Sequence, residues 1–261
     1  MSYIKYLENK NLSKNTIVIY SFYLNKWQSY LKDTQPSKTK IINFLNQWKN
    51  KSANTIKLIF AVIMSYLKYL KLTKLYYDCL DIKLPSAAVK FKNVINLTDF
   101  NHKKEHWASK NWYDQRNWLI FVFCFTTGIR ISEIHQVNKN KIENHKLIIQ
   151  GKGMKTRMIF IPKYTQELLN NWNDDFIAIK KDHQQLSYKQ LNKIIKKVSS
   201  FLFKNSFLPH DLRRSYATNL LRKGVDIKTI SELLGHNNIN TTSKYIHLTE
   251  NEIMKKIKNL F

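Results

Sequence analysis

Only five glycines occur in this chain, and all of them lie beyond residue 127: Gly128, Gly151, Gly153, Gly224 and Gly235. Glycine is the residue that turns a backbone sharply at little steric cost, so the places where this chain can do so are few and confined to its second part. Ahead of them the apolar residues repeat at helical spacing. Ile17, Tyr20, Leu24, Trp27 and Leu31 recur at intervals of 3, 4, 3 and 4, and Ile56, Phe60, Ile63, Leu67 and Leu70 at 4, 3, 4 and 3. Each run marks one apolar face of a long amphipathic helix. Both helices open on the same pattern, Ser-x-Asn-Thr-Ile, at Ser13 and at Ser52, where serine caps exposed N–H groups. Between them Ile41, Phe44 and Trp48 predict a third helix after Pro36-Ser37. Residues 1–84 therefore read as a small bundle of about four helices. Leu84-Pro85-Ser86-Ala87-Ala88 breaks the pattern, and a linker is expected over 85–95.

The second domain, 96–261, mixes helices with one β-hairpin. Trp118–Phe125 is an apolar stretch for a buried helix that ends at Thr127-Gly128, and a short helix opens with Arg130. Lys146–Gln150 and Thr156–Ile161 are strand-like and joined through Gly-Lys-Gly-Met-Lys. Helices resume after Pro162. Ser187 caps one, Gly224 ends another begun near Asp211, and Asp226 starts a third that stops at Gly235. Thr249 with Glu252 makes a capping box for the last. The fold class is mainly α with a small β-hairpin.

Charge narrows the partners. Forty-four basic residues against 18 acidic ones leave +26, which points to a polyanion and away from an acidic-surface metabolic enzyme. Residues 1–93 hold 16 lysines and 4 acids, so both domains are basic. With 43% hydrophobic residues the chain is too apolar for a disordered basic tail. Cys79 and Cys124 lack any CxxC spacing, which disfavours a disulfide scaffold and a zinc site and fits a reducing cytoplasm. The N-terminus is polar, without a secretory core, and the run Trp118–Phe125 is far short of the roughly 20 residues that cross a bilayer. No membrane partner is expected. Lysine outnumbers arginine 38 to 6, a bias an AT-rich coding sequence also produces, so the six arginines say more than the lysines do.

The residues that carry chemistry cluster late. His210 and Arg213 stand three apart at a helix start, Gly235 presents His236 from a helix end, and Tyr245 follows nine residues on. Upstream, Arg130 sits just past the Gly128 turn and Lys152 at the hairpin tip. Arginine forks suit the nonbridging oxygens of a phosphate and the charge that grows on a phosphorane. Tyrosine is a workable nucleophile when that charge is stabilised or a histidine takes its proton, and a hairpin lysine makes a general acid for the departing oxygen. The set reads as metal-free attack on a phosphodiester through a phosphotyrosine.

The Thr127–Glu133 box TGIRISE, the hairpin GKGMKTR at Gly151–Arg157, HDLR at His210–Arg213, LGH at Leu234–His236 and then Tyr245 resemble, in that order, the tyrosine recombinase (phage integrase) family, most of all its short Xer-like bacterial members. The resemblance implies a SAM-like helical core-binding domain over 1–84 and an α+β catalytic domain over 96–261 that close on duplex DNA. It implies that Arg130 and Arg213 bind the scissile phosphate, Lys152 protonates the 5′ oxygen, His210 assists proton transfer, His236 hydrogen-bonds the phosphate and Tyr245 forms a 3′-phosphotyrosyl link. It further implies a homotetramer, a Holliday junction, a C-terminal helix at 249–261 that docks on a neighbouring subunit, accessory or sister recombinases as further partners, and no cofactor. A cytoplasmic, nucleoid-associated protein fits. The shortness of the N-terminal domain lowers the expectation of a lambda-like integrase. A type IB topoisomerase-like enzyme, or a non-catalytic DNA-binding protein on the same fold, is the alternative.

Blander roles compete for several residues. Glu133, one turn from Arg130, either pairs within its helix or orients the guanidinium. Lys155 and Arg157 read as solvated strand charges or as a basic hairpin lying in a DNA groove; Arg214, Lys14 and Lys57 are further DNA-contact candidates, and Lys68 contacts phosphate or faces water. His102 and His106 have i, i+4 spacing without further ligands and read as surface. Trp27, Trp48 and Trp118 fall on apolar faces and read as core.

Overall fold

The computed structural model describes residues 2–86, 93–107, 111–151 and 156–235, and these gather in two units, Met1–Lys90 and Phe91–Phe261. In the first, α1 (Tyr3–Asn9), α2 (Lys14–Leu31), α3 (Lys38–Asn46), α4 (Ala53–Tyr69) and α5 (Thr73–Asp78) surround one core. The central helix is α4, which packs against α1, α2, α3 and α5. Its stripe residues Ile56, Ile63 and Leu67 are buried with Leu24, Trp27, Ile41 and Phe44, and Trp48 packs on them from the rim. The repeated serine signature does what its spacing predicts: Ser13 Oγ accepts the Thr16 N–H at 3.2 Å and Ser52 Oγ accepts that of Thr55 at 3.1 Å. The third helix stops at Asn46, short of Trp48. There the Trp48 N–H turns back to the Leu45 carbonyl three residues earlier, tightening the chain out of the α-helical ladder.

The second unit is built on α7 (Trp112–Thr127), preceded by α6 (Leu97–Lys103). Residues 116–125 of α7 are all buried, because α8 (Lys163–Asn170), α9 (Tyr188–Phe203) and α10 (Pro209–Arg222) each pack on it. A helix that is apolar on every side needs neighbours on every side. The last described helix, α11 (Ile227–Leu234), lies against α10 and the hairpin. The hairpin pairs β1 (Lys146–Gln150) with β2 (Thr156–Phe160) antiparallel, from Lys146 opposite Phe160 to Gln150 opposite Thr156. Leu147, Ile149 and Ile159 face the core, whereas Ile148, Met158 and Phe160 are exposed on the opposite face.

With so few glycines, helices end on other residues in the left-handed region. Lys32 closes α2 at φ 45° and Lys204 closes α9 at φ 57°. No helix among the described residues is long and apolar enough to cross a membrane.

Candidate active site

The site begins where α7 ends. Gly128 caps that helix at φ 62°, its N–H donating to the Cys124 carbonyl at 3.1 Å. A Cβ here would stand 2.4 Å from a ring carbon of Tyr216 and 2.9 Å from a methyl of Leu234, so both space and backbone demand glycine. Two residues on, Arg130 is the N-cap of a 3-10 segment, Ile131–Gln136.

Arg130 is held on two sides. Its Nη1 donates to Glu133 Oε1 at 2.9 Å and its Nη2 to the Gly235 carbonyl at 2.7 Å, while its backbone N–H donates to Glu133 Oε2 at 2.9 Å. The side chain still keeps 28% exposure, enough to meet a ligand. Glu133 also receives a fork from β2: Arg157 Nη1 donates to Oε1 at 2.9 Å and Nη2 to Oε2 at 2.7 Å. Burial pushes the Glu133 carboxyl up, but the hydrogen bonds from Arg157 and Arg130 outweigh it and hold the group below the usual carboxylate range. Glu133 thus remains the anion that two guanidinium groups share. Arg157 is no solvated strand charge, because its side chain is 8% exposed and faces this carboxylate.

Arg213 comes from α10, which opens on Pro209 at a position where the missing N–H costs nothing. Asp211 accepts the Leu208 N–H at 3.0 Å and pairs with Arg214 at 3.2 Å, so the half-buried Arg214 has a carboxylate within its own helix. Arg213 turns inward, 3% exposed, and donates to the Gly128 carbonyl at 2.6 Å and to the Leu234 carbonyl. His210, in the first turn of the same helix, is exposed.

Both arginines therefore meet at the end of α11. Asp226 caps its start by accepting the Thr229 N–H at 2.9 Å, and Gly235 ends it at φ 62°. The final carbonyls of a helix lack partners within it and carry partial negative charge; here Leu234 and Gly235 receive Arg213 and Arg130. The stem of Arg157 lies under Gly235, where a Cβ would stand 2.9 Å from its Cδ. Tyr216, one turn after Arg213, lines the same place; burial raises its phenol pKa, against the opposing influence of Arg213 and Arg157.

Of the residues singled out by sequence, Arg130, Glu133, Arg157 and Arg213 come together. Lys152, Lys155, His236 and Tyr245 lie outside the described residues, as does the expected helix at 249–261. Lys14, in the first turn of α2, and Lys57, on α4, are exposed in the first unit; Lys68 lies 4.5 Å from the centre of the Tyr76 ring. Among the described residues no three His, Cys, Asp or Glu side chains could together hold a metal ion.

Sequence reasoning passed over Tyr216 and Gln136. Their signal was spacing: Tyr216 follows Arg213 by three and Gln136 follows Glu133 by three. Gln136 binds the backbone of β1 at both ends of its amide, with the Gln150 N–H donating to Oε1 at 2.8 Å and Nε2 donating to the Gln150 carbonyl at 2.9 Å.

Residues 91–252 match the phage integrase family, and residues 1–74 match the phage integrase N-terminal SAM-like domain. The chain belongs to the phage integrase family. It is a tyrosine recombinase, 30% identical to the tyrosine recombinase XerA of Pyrococcus horikoshii over 97% of this chain and 90% of that protein. Tyrosine recombinase XerC of Rickettsia prowazekii is 29% identical over 90% of this chain and 87% of its own length. Among solved structures, a post-cleavage complex of the XerH site-specific recombinase bound to palindromic difH substrate shares the fold at a TM-score of 0.78 and 22% identity, over 95% of this chain and 80% of that one. The Tn1549 transposon integrase in complex with a circular intermediate DNA does so at 0.74 and 14% identity, over 93% of each chain.

Proposed function

We propose that this tyrosine recombinase cleaves and rejoins duplex DNA at a specific site through a covalent 3′-phosphotyrosine on Tyr245. The observation that carries the reading is the convergence of Arg130 and Arg213 on the carbonyl end of α11, immediately before His236. Two cations held there, one of them partly exposed, suit a phosphate and the negative charge that develops as it is attacked. The Tyr245 hydroxyl attacks phosphorus, His210 assists the transfer of its proton, and His236 hydrogen-bonds a nonbridging oxygen. The bond to the 5′ oxygen breaks as Lys152 protonates it. Attack of a 5′ hydroxyl on the phosphotyrosine reverses these steps, so the phosphodiester energy is retained and neither ATP nor a metal ion is consumed.

Duplex DNA is the partner, and the +26 charge supports it. A homotetramer working through a Holliday junction, joined by the C-terminal helix at 249–261, carries the exchange between two sites, with an accessory or sister recombinase as a further partner. The test uses a nicked duplex bearing the sequence that the wild-type protein enriches from a random pool. With EDTA and without nucleotide, the wild type forms an SDS-resistant, protease-sensitive adduct and Tyr245→Phe forms none. An adduct with Tyr245→Phe, or none with the wild type, sinks the mechanism.

A further inference from the structure

A two-stranded ribbon is marginal on its own, and one face of this one is exposed at Ile148, Met158 and Phe160. Its other face packs on the core through Leu147, Ile149 and Ile159, and side chains outside the ribbon fasten its two strands as well. The 3-10 segment Ile131–Gln136 supplies two attachments, one to each strand. Glu133 takes the fork of Arg157 on β2, and Gln136 pairs with both backbone groups of Gln150 at the end of β1. A 3-10 helix has three residues per turn, so positions three apart project from the same side. Glu133 and Gln136 therefore project from one side and grip the hairpin on both sides of residues 151–155, and Glu133 also holds the partly exposed Arg130 that precedes the segment.

Taking the reading of Lys152 as general acid as its basis, we propose that Gln136 is a positioning residue. With the Glu133–Arg157 fork it braces both strands of the hairpin against the Arg130 segment and so sets the approach of Lys152 to the 5′ oxygen. The amide is suited to this because it offers one donor and one acceptor, as a neighbouring strand would, to the outward edge of Gln150. The two attachments are not equivalent. Among the described residues the hydrogen bonds of Gln136 go to the hairpin alone, whereas Glu133 also holds Arg130, so the loss of Arg157 reaches the phosphate as well as the acid.

The discriminating substrate is the enriched nicked duplex with sulfur in place of the scissile 5′ bridging oxygen, since a thiolate departs without a proton. Gln136 is exposed, so Gln136→Ala leaves the fold intact. In single-turnover adduct formation this variant is expected to slow the oxygen substrate by roughly 10- to 100-fold, the loss that a displacement of about 1 Å produces, with the duplex Kd unchanged and the sulfur substrate cleaved at the wild-type rate. Arg157→Lys is expected to slow both substrates. Cleavage of the oxygen substrate by Gln136→Ala at the wild-type rate, or an equal loss on both substrates, overturns the proposal.

Lys152→Ala serves as the control for the underlying reading: if sulfur fails to rescue it, Lys152 is not the acid, and that reading falls first. The brace is then judged without DNA by hydrogen exchange at the Gln150 amide. Exchange is expected to quicken in Gln136→Ala, and unchanged protection overturns the brace.

Discussion

Gly128 is the residue on which the most constraints converge. It ends the buried helix α7, lets the chain turn toward Arg130, offers its carbonyl to Arg213 and leaves room for the Tyr216 ring. A left-handed backbone costs an ordinary residue roughly 1–2 kcal/mol, and forcing a methyl into packed surroundings adds about 1–3. Gly128→Ala is therefore expected to lower the urea unfolding midpoint by the equivalent of about 2–5 kcal/mol; a change below about 0.5 kcal/mol, the range of ordinary surface substitutions, would contradict this account of the turn. The need for glycine at 128 was legible in sequence, because glycine is scarce and stands two residues before Arg130. What it packs against was not. Tyr216 lies 88 positions away, and no local pattern announces a contact at that range. The same holds for the fork from Arg157 to Glu133 across 24 residues, which makes a buried ionic partner of a residue that reads as a solvated strand charge or a DNA-groove contact.

At the scale of elements, the sequence was most readable where a helix begins. Ser13, Ser52, Ser187 and Asp226 each accept a backbone N–H three residues on, as their spacing predicts, because capping is chemistry between near neighbours. Replacing Ser13 or Ser52 by alanine should each cost about 1 kcal/mol, measured by chemical unfolding of the whole chain, and equal stability of Ser52→Ala and wild type would show that the cap is idle. Helix ends and helix types were less readable. The segment after Arg130 is a 3-10 helix, not an α-helix, a choice tied to tertiary partners, since that geometry aligns Glu133 and Gln136 toward two strands. Strand β2 stops one residue early, at Phe160, while the Ile161 N–H goes to His145 at 2.8 Å instead.

For the whole molecule, charge is the property that sequence alone states completely. Both parts of the chain are basic, with 28 basic and 14 acidic residues after position 93, so binding to duplex DNA should be dominated by phosphate contacts from both. A protein that neutralises six or more phosphates loses at least about 10³-fold in affinity between 50 and 200 mM salt; that weakening is expected here, read from Kd at several salt concentrations, and less than a tenfold loss would mean the charge is not spent on DNA. The lysine count has another outcome, visible at Lys32 and Lys204, where α2 and α9 close in a conformation that strains any side chain and that glycine adopts freely. Each such ending forgoes on the order of 1 kcal/mol relative to glycine. A lysine-rich, glycine-poor composition is thus written into the backbone as well as into the electrostatic field: the architecture tolerates a higher melting temperature than this sequence reaches, and the unused margin sits at two exposed helix ends, one in each unit.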